Sequence, residues 1–218
     1  MPTTTTTQPL DRRGKTITTF VVFDAAQRLE SMQQGDVLEL LTDDFEPFEH
    51  DLPAWCGAVG HRLIETEPIA DGRRFVIEKG PPAPKHTAAA IVVSSEGLEE
   101  LLSPLGFALA AALERIEVHL FVQGPAVRVL TRGYRPRLSG WARPFSRFAA
   151  AGMAKTGHIP AQDKLRQLHG LGAHIYLCGP SMEHFKVQER DLIIDGIPMI
   201  EYLSFMAIME QVEIHLYS

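Results

Sequence analysis

A proline-rich segment divides this chain and constrains its folding more than any other feature. Residues 79–85 read KGPPAPK and contain three prolines and a glycine. Proline fixes φ and lacks a backbone N–H, so such a segment forms neither a helix interior nor a central strand. Strand-like residues precede and follow it. The sequence therefore predicts a semi-rigid linker over residues 80–86 between two domains, for which 218 residues are sufficient.

The first domain is predicted to be a small two-layer α/β sandwich. Apolar periodicity predicts a helix over residues 19–32, capped by Thr18 or Thr19 and ended by Gly35. A second helix is predicted over 46–59, where the spacing of its apolar residues turns Cys56 toward the core as a structural thiol. The remaining predicted elements are strands near 5–10 and over 36–42, 62–66 and 73–78.

The second domain alternates strands and helices, which predicts a mostly parallel sheet with helices on both faces. Strands are expected over residues 88–94 and 117–122, up to Cys178, and over 212–216. Helices are expected over 97–114, from 124, over 161–169, near Met182 and over 200–209. Glycines and prolines break the regularity of residues 133–152.

Cys178 follows the apolar run Ile175–Leu177 and precedes Gly179, Pro180 and Ser181. This pattern predicts a buried strand that ends in a thiol, a sharp turn and a helix that begins at Pro180. Ligands of open α/β sheets bind outside the carboxyl ends of the strands, and a helix N-terminus favours the thiolate. A reactive thiol and a buried, inert cysteine are both compatible with this pattern.

The chain carries a net charge of −6, yet residues 118–162 contain no acidic residue and seven basic ones. This block is either a set of solvated arginines or a site for an anion or an acidic partner. We expect no binding of nucleic acid, because the chain is acidic overall and few aromatic residues accompany the arginines.

The sequence lacks the motifs that are typical of several other functions. The sequence contains no G-x-S-x-G, P-loop or G-x-G-x-x-G motif, and no cofactor is predicted. His174, Cys178 and His184 lack the spacing of a zinc motif, so no metal is predicted. No apolar segment is long enough to span a membrane, and the first residues do not resemble a signal peptide. Two cysteines far apart in sequence indicate free thiols and a cytoplasmic protein.

Residues 9–79 resemble the TusA family of small sulfur carriers. The resemblance rests on LDRRG (10–14), QQGDVLELLTDD (33–44) and DLPAWCGAVGHRL (51–63). That family carries a persulfide on the cysteine of a Cys-Pro-x-Pro motif at the start of its first helix. The matching positions here are residues 18–21, Thr-Thr-Phe-Val, so the carrier cysteine and both prolines are missing. The resemblance implies the fold and a docking or assembly role without sulfur transfer.

Residues 87–218 resemble the DsrE/DsrF-like family, which is linked to sulfur relay. The resemblance rests on AAAIVVSS at the start, on LGAHIYLCGPSMEHFKV (171–187), and on the helix and strand over 200–216. It implies a flavodoxin-like sheet, frequent homo-oligomers and a persulfide-carrying cysteine, and Cys178 matches that cysteine's position.

These observations together predict a sulfur-relay protein in which Cys178 accepts a sulfane sulfur from a donor protein and passes it to an acceptor protein. Arg132 and Arg143 are candidate sources of positive charge, His184 is a candidate general base, and Gly179 and Ser181 are candidate substrate contacts. Such a carrier is a transferase only in a loose sense. The alternatives are a non-catalytic assembly protein and a thiol redox sensor. A solvent-reachable sulfur near cations would favour the carrier, and a sealed thiol would favour assembly.

Overall fold

The computed structural model describes residues 7–15, 17–81, 88–138, 140–155 and 158–218. Most of the predicted linker over residues 80–86 and the start of the predicted strand near 5–10 lie outside the described residues. The chain forms two compact units, which are described separately. The first comprises the described residues before position 85 together with 113–115, and the second comprises the rest.

The first unit is the predicted α/β sandwich. Its elements are β1 (Thr7–Asp11), α1 (Thr18–Glu30), β2 (Val37–Thr42), α2 (Glu46–Val59), β3 (Arg62–Ile69) and β4 (Gly72–Glu78). The sheet order is β1-β2-β4-β3, with β1 parallel to β2 and the other pairs antiparallel. Leu38 and Leu40 of β2 and Phe75 and Ile77 of β4 are fully buried with the apolar faces of α1 and α2.

The predicted boundaries of α1 were partly wrong. The helix is preceded by Ile17 as its N-cap residue, and no side chain caps it, so neither Thr18 nor Thr19 has the predicted role. The helix ends at Glu30, before Gly35. Gly35 instead adopts φ 90° in the turn that leads into β2.

The second unit contains five parallel strands. They are β5 (Ala88–Val93), β6 (Glu117–Val122), β7 (His174–Cys178), β8 (Met199–Ile200) and β9 (Ile214–Tyr217), in the order β8-β7-β6-β5-β9. The helices are α3 (Leu102–Leu113), α4 (Ser146–Lys155), α5 (Ala161–Gly170), α6 (Gly179–His184) and α7 (Tyr202–Met209). Short 3-10 helices cover Gly124–Leu130, Gly140–Phe145 and Glu189–Asp191. The predicted mostly parallel α/β class is confirmed.

Both faces of this sheet are covered. Ala90, Val92 and Phe121 on one face pack against Phe205 and Met209 of α7. On the other face, side chains such as Ile91, Leu120 and Leu177 are also buried. Leu105 and Leu109 of α3 and Leu165 and Leu168 of α5 supply buried apolar groups for that second layer.

Cys178 lies near the point at which the chain stops adding strands on one side of the sheet and returns to the other side. From β5 to β8 the chain crosses the sheet in one direction, and it then returns through α7 to β9 beside β5. Right-handed crossovers in opposite directions place their helices on opposite faces. The carboxyl ends of β7 and β8 therefore flank the point where the connections diverge, and Cys178 pairs there with Ile200. Open α/β sheets bind ligands at such points.

Candidate functional site

Cys178 is the last residue of β7 and is completely buried. Its side chain belongs to the apolar cluster between the sheet and α7, together with Ala90, Phe121, Phe205 and Met209. Alternation along β7 turns His174, Tyr176 and Cys178 to this same face. The thiol is therefore not directly accessible to solvent.

Tyr202 provides a polar contact for the sulfur. Its hydroxyl interacts with the Cys178 thiol, and this interaction, with burial as a smaller cause, raises the pKa of Tyr202. Tyr202 is the first residue of α7 and is 55% exposed. One partly exposed side chain thus connects the buried sulfur to the surface.

The helix that follows the thiol begins at Gly179, one residue before the predicted start at Pro180. Cys178 is the N-cap residue of α6, but its side chain makes no capping hydrogen bond to the first amides of the helix. Gly179, the first residue of α6, has no atom within 4 Å of the position of a Cβ, so space for a side chain exists there.

Ser181 connects α6 to the loop that follows β6. Its hydroxyl oxygen accepts a hydrogen bond from the backbone N–H of Gly124 at 2.9 Å. Gly124 has φ 54°, in the left-handed region that favours glycine. The role of Ser181 in the structure is therefore to hold α6 against the loop that follows β6.

The predicted arginines surround a cavity of about 1080 Å³ at the carboxyl end of the sheet. It is bordered by the segments that follow β5 and β6 and by the end of α6. Its charged lining contains five arginines and a lysine against three carboxylates, namely Arg128, Arg132, Arg135, Arg137, Arg143, Lys186, Glu96, Glu100 and Asp191. This cavity concentrates positive charge in an acidic protein.

The arginines of this cavity differ in their partners. Arg128 pairs with Glu96 at 3.1 Å and stacks over Phe185, and Arg132 donates to the carbonyl of Arg190 at 2.6 Å. Within the described part of the chain, no carboxylate pairs with Arg135 or with Arg143. The cavity therefore presents unneutralised guanidinium groups. Cys178 does not line it, so the structure does not bring Arg132 and Arg143 to the sulfur.

The two histidines nearest to Cys178 in the sequence contact other side chains. His184, in the last turn of α6, is exposed, and its ring packs edge-on against Phe185. His174 is four residues before Cys178 on β7, about 13 Å along the strand. Its ring contacts Glu117 and His119 instead. Within the described residues, no hydrogen bond joins His184 to Cys178.

The first unit contains no thiol at the start of its first helix. Residues 18–21 form the first turn of α1, where Thr18, Phe20 and Val21 are buried. Cys56 lies in α2, only 2% exposed, and burial raises the pKa of its thiol to about 12. The prediction that Cys56 faces the core is confirmed.

Sequence reasoning missed two features near this face of the sheet. Tyr202 is 24 residues from Cys178, and its contact with the sulfur depends on how α7 packs. The cluster of Glu117, His119 and His174 depends on the register of two strands. The i, i+2 spacing of Glu117 and His119 on a predicted strand was the available signal for this cluster.

Comparison with known families assigns both units. Residues 20–79 match the family "Sulfurtransferase TusA", and residues 88–214 match the "DsrE/DsrF-like family". Both lie within the ranges in which the sequence showed these resemblances. No helix in the described part of the chain is long and apolar enough to cross a membrane.

Individual relatives match parts of the chain. Two Archaeoglobus fulgidus proteins, each named "Putative sulfur carrier protein", are 36% and 31% identical over 58 residues. The matches cover 26% and 27% of this chain and 74% and 78% of those proteins. A crystal structure of the ychN protein from E. coli aligns with 61% of this chain and 100% of that chain, with a TM-score of 0.46 and 19% identity.

Proposed function

Because the chain belongs to the DsrE/DsrF-like family, we propose that it is a sulfur-relay protein whose Cys178 carries a sulfane sulfur as a persulfide. The observation that carries this proposal is the presence of two sulfur-handling families in one chain with one thiol at a ligand-binding position of its sheet. Cys56 is an unsuitable carrier because burial raises the pKa of its thiol to about 12.

The proposed transfer needs only thiol chemistry. Once Tyr202 has moved away, the Cys178 thiol loses its proton to solvent, and the thiolate attacks the outer sulfur of a donor persulfide. The donor S–S bond breaks as the new S–S bond forms at Cys178, and the donor leaves as a thiolate. Attack by an acceptor thiolate on the same outer sulfur returns Cys178 to its starting state, so no external oxidant or reductant is required.

Tyr202 controls access to the sulfur in this proposal. The thiol is completely buried, whereas Tyr202 is 55% exposed and interacts with it. Rotation of this side chain away from the sulfur would open a route from the surface. Around it, Met199, Leu203 and Met206 are 48%, 86% and 49% exposed and form an apolar surface. A donor, an acceptor or a second copy of the chain that docks on this surface would displace Tyr202.

The arginine cavity is proposed as the site that attracts anionic groups of the substrate or of a partner. Arg132 and Arg143 line it, and the unneutralised charge at Arg143 and Arg135 supports this role. Gly179 and Ser181 stay proposed contacts of the approaching substrate, with Ser181 acting through the loop at Gly124. His184 would act as a base only after a rearrangement of α6.

The TusA-like unit is proposed to act in docking or assembly. It has no cysteine at residues 18–21, and its surviving thiol is sealed in the core. Association of the DsrE-like units into a homo-oligomer is supported by the exposed apolar residues of α7. We also propose a cytoplasmic location, which agrees with two cysteines that are both free.

The test is the mass of the intact protein after incubation with a sulfane-sulfur donor such as polysulfide. We expect a gain of about 32 Da, one sulfur atom, on the wild type. Cys178→Ser should abolish the gain and Cys56→Ser should keep it. Absence of an adduct on the folded wild type across several donors would contradict the carrier function.

A second candidate function is assembly without chemistry, and the complete burial of Cys178 favours it. In that case the thiol is a core residue of the cluster under α7 and never reaches a donor. Cys178→Ala would then leave complexes with partner proteins intact. Sulfur transfer between those partners would also stay unchanged. If Cys178 is a carrier, the same variant would abolish that transfer.

A further inference from the structure

Three metal-ligating side chains meet at the amino ends of β6 and β7, remote from Cys178. Glu117 and His119 are two residues apart on β6 and therefore point to the same face of the sheet. His119 pairs in register with His174, the first residue of β7. Two adjacent parallel strands thus hold all three side chains, and no loop conformation is needed to bring them together.

The ligand atoms are already close. Glu117 Oε1 lies 3.0 Å from His174 Nε2 and 3.6 Å from His119 Nε2. One ligand atom from each of the three residues lies within 4.8 Å of the other two. The imidazole rings stack with their centroids 4.9 Å apart and their planes inclined by 15°. Both imidazoles therefore present the same nitrogen toward one carboxylate oxygen.

A neighbouring hydroxyl orients the less exposed imidazole. His119 Nδ1 lies 3.2 Å from the hydroxyl of Tyr176, and the two rings are nearly parallel. This contact occupies Nδ1 and leaves Nε2 directed at Glu117. Metal-binding histidines commonly use their second ring nitrogen in this way, which fixes the orientation of the ring.

We propose that Glu117, His119 and His174 bind a divalent transition metal ion, with Zn²⁺ as the ion that fits best. Two imidazole nitrogens and one carboxylate oxygen form a donor set that zinc uses with an open fourth position. Tetrahedral zinc with bonds of about 2.0–2.1 Å separates its ligand atoms by roughly 3.3 Å. The two measured separations, 3.0 and 3.6 Å, bracket that value.

The exposure of the three residues suits reversible binding from solution. The side chains of Glu117 and His174 are 42% and 49% exposed, so they can move by the small amount that closure on an ion requires. His119, 14% exposed, is the anchored ligand. The exposed side leaves room for a water molecule as the fourth ligand.

This site is independent of the proposed sulfur chemistry. It lies at the amino end of β7, whereas Cys178 lies at the carboxyl end, about 13 Å along the strand. Zinc bound here would join β6 to β7 beside a sheet end that β8 does not reach, because β8 pairs only with Leu177 and Cys178. Loss of the metal site should therefore leave persulfide formation unchanged, and loss of Cys178 should leave metal binding unchanged.

The experiment is calorimetric titration of the untagged full chain with Zn²⁺, supported by visible absorption of the Co²⁺ form. We expect one Zn²⁺ per chain on the wild type and a cobalt spectrum of a four- or five-coordinate site. Removal of one of three ligands in His174→Ala, or of the charge in Glu117→Gln, should weaken binding at least tenfold. His169→Ala, which removes an exposed histidine of α5, is the matched control and should bind as the wild type does.

The side chains of both altered ligands are only partly buried, so circular dichroism should show the folded state in every variant. The proposal is overturned if the wild type binds no Zn²⁺, or if His174→Ala and Glu117→Gln bind it as tightly as the wild type. A loss in His169→Ala equal to that in His174→Ala would also overturn it, since binding would then reflect any surface histidine.

Discussion

Truncation of Tyr202 should make the buried thiol reactive. The wild-type Cys178 sulfur is completely buried and contacts the Tyr202 hydroxyl, so a reagent reaches it only after this side chain moves away. Tyr202→Ala removes the hydroxyl and the ring, whereas Tyr202→Phe removes only the hydroxyl. The two variants therefore separate the effect of the polar contact on the labelling rate from the effect of the ring's packing.

The expected increase in labelling rate follows from the two contacts that must break before Tyr202 can move away from the sulfur. The polar contact between the hydroxyl and the sulfur contributes about 1 kcal/mol. Tyr202 is 55% exposed, so roughly half of a tyrosine side chain's surface, about 100 Å², is covered. At about 25 cal/mol per Å² this burial contributes about 2.5 kcal/mol. Tyr202→Phe should thus speed labelling of Cys178 about fivefold, and Tyr202→Ala, which loses both contributions, by a few hundredfold.

The assay is the rate of modification by a thiol reagent in excess at one pH, with the modified cysteine identified by peptide mass. Leu203→Ala is the matched control, because Leu203 is the next residue of α7 and is 86% exposed. Its labelling rate should equal that of the wild type. The reasoning is refuted if Tyr202→Ala labels no faster than Leu203→Ala, or if every labelling rate equals the protein's global unfolding rate.

Further predictions concern other residues. Cys56 should resist labelling in the folded protein. Burial raises its thiol pKa to about 12, whereas the unfolded thiol ionises near 9.0, so the free energy of unfolding should fall above pH 9.0. Base titration of Cys56→Ala should lack this contribution. Ser181→Ala leaves the N–H of Gly124 without its acceptor and should lower the free energy of unfolding by about 1–3 kcal/mol in urea titration, whereas replacement of the exposed Glu183 by Ala should change it by less than about 0.5 kcal/mol. Leu203→Glu should reduce the oligomer mass measured by light scattering if α7 forms the interface, and an unchanged mass would place the interface elsewhere.

Elements with a strong local pattern were predicted well. The bounds of α2 agree with its prediction because Leu52, Trp55, Cys56 and Val59 mark one helical face. In contrast, β8 has only two residues, too few for any periodicity, and it was predicted as the start of a helix. Helix α4 was missed because Ser146 alone of its residues is buried, so the helix has no apolar face to recognise.

The sequence predicted those features of the candidate site that depend on residues adjacent in the chain. The position of Cys178 at the end of β7 followed from the adjacent apolar run and Gly179. Its burial did not, because the covering side chains come from α7, more than 20 residues later in the chain. The arginines were visible as an acid-free block, but their convergence with Lys186 on one cavity depends on tertiary packing.

The location of the transferred sulfur tests the central claim most directly. The folded protein is treated with a sulfane-sulfur donor, blocked with iodoacetamide, digested with trypsin and analysed by mass spectrometry. We predict about 32 Da of additional sulfur on the alkylated peptide that follows Arg166, ends at Lys186 and contains Cys178. Additional sulfur on the Cys56 peptide alone, or on neither peptide, would contradict the proposal that Cys178 is the sulfur carrier.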